Sequence, residues 1–171
     1  TSVCIFVGAG SRYETEVQAG ISHFVEHVCF KGTERRPTSK EISETIERTG
    51  GIINGSTDRE HTVYWCKTAR SHFPEALDLL VDMIRYSVFD SQEIDRERMV
   101  IQEELNMSND HPSQRVDVLI DDMLWPNHSM GRDVAGSKES VQEITRDMLL
   151  DYWKRQYIPS NAVISVAGDI D

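Results

Sequence analysis

Residues 19–33 read AGISHFVEHVCFKGT, and this stretch restricts the fold more than any other. Ile21, Phe24, Val25 and Val28 recur at the spacing of one helical face, so a helix over about residues 20–31 is expected to bury them. His23 and His27 stand four residues apart and project from one face, with Glu26 on an adjoining part of it. Whatever covers the apolar stripe must therefore also accommodate two imidazoles and a carboxylate. Two arrangements satisfy this. Either the histidines are hydrogen-bonded core residues beside a surface glutamate, or the apolar neighbours hold them rigid and dry for a metal ion. Two imidazoles at i and i+4 can meet one ion, and H-x-x-E-H is the inverse of the zinc-binding H-E-x-x-H. Zinc suits two histidines plus a carboxylate and keeps a fourth position for water.

A third ligand must come from elsewhere. A helix expected over about 91–108 offers Glu93, Glu97, Glu103 and Glu104. Glu97 and Glu104 lie seven apart and share a face, whereas Glu103 is turned about 100° from Glu104. One carboxylate could reach the metal and the other could support a ligand from behind. The opposing reading is an ordinary charged, solvated helix, of which QEIDRER is typical.

The remaining chain reads as strands near 3–8 and 162–168, and two more around a polar turn at 56–60. Helices are expected from the Thr38–Glu41 capping box to Gly50, over 73–87, over 112–126 with Pro at both ends, and near 138–143 and 145–157. Strands that do not alternate regularly with helices indicate an α+β fold rather than a doubly wound one. The length fits a single domain, 1–171, with a sizeable core. Trp65, Trp125 and Trp153 are expected in that core or between helices.

With 29 acidic and 18 basic residues the net charge is −11, which argues against nucleic acid as the main partner. No apolar run approaches the roughly 20 residues of a membrane span, and no signal peptide is visible. The first residue is Thr, already inside a strand-like run, so the chain reads as a piece of a longer protein. Cys4, Cys29 and Cys66 form neither a C-x-x-C pair nor an even set, which suits free thiols in a reducing compartment. Cys4 and Cys66 both fall in expected strands and could be neighbours.

GISHFVEHVCFKGTERRP resembles the zinc-site helix of the pitrilysin and mitochondrial processing peptidase family, the inverzincins. That family places its third ligand 77 positions after the second histidine, which is Glu104 here, and a further glutamate seven before it, which is Glu97. VGAGSRYE, GGIINGSTDREHTVYW, ERMVIQEELNM and YIPSNAVISVAGDI resemble family segments in the family's order, so the likeness covers essentially the whole chain. It implies an antiparallel or mixed sheet packed against a layer of helices, with His23, His27 and Glu104 holding one zinc ion (Zn2+). Glu26 would be general base on the zinc-bound water and later pass a proton to the leaving amine. Glu97 would orient the histidines. Asn54 and Gly55 match the edge strand on which family members pair an extended peptide. Gly55 departs from the alanine often found there, and is expected to loosen that strand. Arg132 and Gly136 match a family loop and are assigned structure, not chemistry.

The resemblance thus implies a zinc endopeptidase of extended peptides or unfolded polypeptide. It also implies a homologous second half, in the same chain or a partner subunit with a possible dimer. A non-catalytic scaffold subunit is the alternative; a complete set of ligands plus the base favours the enzyme. A lyase sharing H-x-x-E-H is disfavoured by FKGT and by the Glu97–Glu104 pair. The expected compartment is the bacterial cytoplasm, with the mitochondrial matrix and periplasm as alternatives. His61 is given a minor prospect of a functional role; His72, His111 and His128 are expected to be exposed.

Overall fold

The alternation in VCIFV resolves as a strand with one buried face. In the computed structural model, which describes residues 1–170, β1 (Ser2–Val7) buries Val3, Ile5 and Val7. Asp171, the last residue of the expected domain, lies outside the described residues. The elements that follow are α1 (Ile21–Cys29), α2 (Ser39–Glu47), β2 (Ile52–Thr57), β3 (Thr62–Lys67) and α3 (Phe73–Tyr86). Then come α4 (Ser91–Asp110), α5 (Pro112–Leu124), α6 (Lys138–Glu143), α7 (Arg146–Gln156) and β4 (Ala162–Ala167). The strands form one antiparallel sheet in the order β2-β3-β1-β4, so the fold is α+β with helices on one face.

Register decides which face the helices cover. Val3 stands opposite Cys66, Ile5 opposite Tyr64 and Val7 opposite Thr62, and all six are buried. Against them lie α1 and α3, with α2 and α7 behind, closing a core through Ile42, Ile46, Leu79, Leu80, Met83, Leu149 and Tyr152. Phe24, Val25 and Ile21 are 0% exposed and Val28 is 1%, so the apolar stripe of α1 is fully used. The Arg98 guanidinium sits over the Phe24 ring at 5.3 Å, tying α4 to the same helix.

The helix boundaries follow their caps. Thr38 accepts from the Glu41 N–H at 3.2 Å, and Glu41 accepts from the Thr38 N–H at 3.0 Å, which completes the capping box. Asp90 accepts from the N–H groups of Gln92 and Glu93, and α4 runs two residues beyond its expected end before His111 and Pro112 turn the chain.

Two tryptophans, Trp125 and Trp65, depart from expectation. Trp125 is 41% exposed, because it follows α5, a helix that buries none of its residues among those described. Trp153 does pack inward, donating to the Ile84 carbonyl at 2.8 Å and meeting the Phe89 ring. Trp65 is half-buried on the outer sheet face opposite Cys4. Cys4 and Cys66 are on neighbouring strands but one register step apart, hence on opposite faces, and all three cysteines are free. Among the described residues no helix is long and apolar enough to cross a membrane.

The apolar seat of α1 should hold without metal. In chelator-treated protein, Phe24→Ala is expected to cost about 3–5 kcal/mol in chemical denaturation, and Thr38→Ala about 1 kcal/mol through the lost cap.

Candidate metal centre

Burying one stripe of α1 turns its other face toward α4, and there the polar residues converge. The Nε2 atoms of His23 and His27 are 3.1 Å apart. Glu104 Oε2, from α4, lies 3.7 Å from the first and 3.5 Å from the second. A tetrahedral zinc ion with bonds of about 2.0–2.1 Å holds its donor atoms about 3.3 Å apart. The three donors therefore fit one such ion in number, chemistry and spacing. Glu103, one residue earlier, instead accepts from Asn106 on the solvent side.

The two imidazoles differ in their support. His27 Nδ1 meets Glu97 Oε2 at 3.0 Å, and Glu97 Oε1 meets Lys31 Nζ at 2.7 Å. This orders the ring so that Nε2 faces the carboxylate of Glu104. His23 Nδ1 is buried without a hydrogen-bond partner among the described residues. Their proton affinities diverge accordingly. Burial, reinforced by the neighbouring His27 charge, brings His23 down to about 4. Burial also opposes charging of His27, but the Glu97 hydrogen bond and the charges of Glu104 and Glu26 outweigh it and push its pKa up. Glu97 is buried too, yet its bonds to His27 and Lys31 hold it below the usual carboxylate range.

Glu26 sits between the helix and the sheet. Its Oε2 accepts from the Thr57 hydroxyl at 2.7 Å. Burial pushes its pKa up; Thr57 and His27 work against this, and Glu104 adds to it. A base moved toward neutrality in this way is suited to taking a proton and returning it. It packs closely against Gly55: a Cβ there would stand 2.9 Å from Glu26 Oε1 and 2.9 Å from Phe30 Cε2, so one of these side chains would have to shift. The glycine was expected to loosen the strand; here it makes room for the carboxylate.

Gly55 and Asn54 lie on β2, a strand with one free edge. The hairpin bond from the Asp58 N–H to the His61 carbonyl sets the alternation, which leaves the backbone groups of Gly55 facing away from β3. The Gly55 N–H donates to Asn54 Oδ1 at 2.9 Å, and the Asn54 side chain is exposed.

Three contributors escape a motif reading: Lys31, Thr57 and Glu14. Lys31 carries a signal, being four residues after His27, one helical turn on. Glu14 carries almost none. It is buried, and accepts from the N–H groups of Gly20 and Ser22, both at 2.8 Å, at the open start of α1. Gly20 there has φ +89, and a Cβ would meet the Ala135 carbonyl at 2.5 Å. Arg132 braces this corner through the Ser11 and Glu14 carbonyls, which agrees with its structural assignment, and Gly136 packs against Ala19. His61 rests against Phe6 on the other sheet face, ring centres 5.8 Å apart. His72 is near Glu75, His111 meets Ser113, and His128 caps Met130.

The family described as Insulinase (Peptidase family M16) matches residues 1–138, and the chain belongs to it. The chain is 40% identical over 169 residues to an uncharacterised zinc protease of Bacillus subtilis, YmxG, covering 99% of this chain and 41% of that protein. It is 36% identical over 174 residues to the mitochondrial-processing peptidase subunit beta of Dictyostelium discoideum, covering 99% and 36%. The crystal structure of a protease from Helicobacter pylori superposes with a TM-score of 0.94 at 26% identity, over 99% of this chain and 41% of that one. The chain thus spans about two fifths of the length of these relatives.

In zinc-free protein, imidazole NMR should show His27 gaining its proton above its ordinary 6.5 and His23 remaining neutral down to about 4. His27 contributes stability fully present below 6.5 and lost as pH rises through its raised value. His23 weakens the fold as pH falls from 6.5 toward about 4. Only one proton then competes with zinc just below neutrality, so affinity should drop about tenfold per pH unit; a hundredfold drop would mean that both rings protonate together.

Proposed function

We propose that the chain is the metal-holding half of a zinc-dependent endopeptidase acting on extended peptides or unfolded polypeptide segments. The observation that carries this reading is the meeting of His23, His27 and Glu104 beside a buried Glu26, next to a free sheet edge. His23, His27 and Glu104 would hold one zinc ion, with Glu97 orienting His27. Bound zinc would lower the pKa of a water toward about 7 and polarise the scissile carbonyl.

The protein's own groups supply the rest. Glu26, its pKa raised by burial, takes the proton of the attacking water at its carboxylate and later delivers it to the departing amine nitrogen. Thr57 and the space at Gly55 hold that carboxylate in place. The edge of β2 at Asn54 and Gly55 would receive the substrate as an added strand, so that main-chain bonds align it whatever its side chains. Substrate therefore must be extended with its main-chain groups unpaired, as in an unfolded segment.

A second homologous half, in the same chain or in a partner subunit, would close over this face. Closure places the carbonyl about 3 Å from the nucleophile and removes bulk water. The reading is supported by relatives more than twice this length. A non-catalytic partner subunit is the weaker alternative, since all three metal donors and the base are in place here. The bacterial cytoplasm is the compartment proposed, with the mitochondrial matrix and the periplasm as alternatives.

In the full-length protein, Glu26→Gln is expected to keep one zinc per site by mass spectrometry while hydrolysis of a quenched peptide falls about 10²–10⁴-fold. Loss of the metal, or near-normal turnover, would contradict the assignment. Glu104→Gln should weaken zinc far more than Glu103→Gln; equal losses would mean that α4 presents a different face. At equal zinc occupancy, residues 1–171 alone should cleave an unfolded peptide far more slowly than the full-length protein, and comparable rates would remove the need for a second half.

A further inference from the structure

We infer that Lys31 is a positioning residue for the metal centre, acting through Glu97 on His27; this rests on the zinc reading above. Its ammonium is 2.7 Å from Glu97 Oε1, and the other oxygen of that carboxylate is 3.0 Å from His27 Nδ1. The three groups form one chain from solvent to the metal-facing nitrogen. Lys31 follows α1 by two residues, and its N–H still bonds to the Val28 carbonyl, so the helical turn that carries His27 continues far enough to aim it. Its side chain is 26% exposed while that of Glu97 is 6%, which places the contact at the wall of the site rather than in open solvent.

Two features make this contact more than a surface ion pair. The first is asymmetry. His23 Nδ1 has no partner among the described residues, so the orientation of the imidazole pair depends on the arm behind His27. The second is charge. Glu26, Glu97 and Glu104 bring three carboxylates to one half-buried pocket, and a divalent cation balances only two of them. Lys31 supplies the missing positive charge, and it does so on the carboxylate that stands behind His27. Without it Glu97 could turn toward the ion or toward solvent, and in either case would release His27. The simple alternative is that Lys31 only offsets the partial negative charge at the end of α1. That role would not depend on Glu97.

A double-mutant cycle separates the two. Zinc affinity is measured by competition with a chromophoric chelator for full-length wild type, Lys31→Met, Glu97→Gln and the double variant, with zinc-free melting recorded alongside. Lys31→Met keeps the aliphatic stem, and Lys31→Gln is read in parallel should Met disturb folding. Lys31→Met is expected to weaken zinc about tenfold, Lys31→Arg to stay near wild type, and Lys31→Met in the Glu97→Gln background to change affinity less than about twofold. An effect of the same factor in both backgrounds overturns the inference, as does a change below about twofold in the wild-type background. Failure of wild type itself to bind one zinc would instead overturn the metal reading and this inference with it.

Discussion

Two imidazole nitrogens held 3.1 Å apart are the contact on which the rest of the site depends. Without a metal, one ring must carry the proton that lies between them; burial keeps His23 from charging, while Glu97 and the nearby carboxylates favour the charge on His27. Such an arrangement persists only where the backbone leaves no choice. Helix α1 meets that condition with nine residues, of which seven are buried. Its apolar stripe enters the core, Glu14 ties down its first turn, and the Lys31–Glu97 pair stands behind its last.

The polar side of the site is built by opposition. Burial raises Glu26, Glu14 and the cost of every charge nearby, and each carboxylate is answered by a specific donor. Thr57 answers Glu26; the open amides of α1 answer Glu14; His27 and Lys31 answer Glu97. Because these donors come from β2, the helix itself and the turn after it, the site can be rigid without a rigid loop. Gly55 shows how closely sheet and helix meet, since a single added carbon on β2 would collide with the carboxylate.

Much of this was legible in the residues. The 3.6 period of Ile21, Phe24, Val25 and Val28 and the Thr38 cap specify local geometry directly. So does the seven-residue spacing of Glu97 and Glu104, because helices repeat. What needed the structure depends on distance between elements. The space at Gly55 has no trace in its own strand and reads as a mild weakness until α1 is laid across it. Glu14 looks like a loop acid until the start of α1 is found above it. Trp125 misled for the same reason: aromatic bulk suggests a core, but whether a core reaches the end of α5 depends on packing that composition does not encode.

The proposed site holds one zinc ion by two imidazoles and a carboxylate, and by no sulfur, although Cys29 lies on the same helix. X-ray absorption at the zinc edge of the purified full-length protein tests this most directly. A first shell of nitrogen and oxygen at about 2.0–2.1 Å, with outer-shell scattering from two imidazoles, is the predicted result. A sulfur shell near 2.3 Å, or scattering from fewer than two imidazoles, would contradict it.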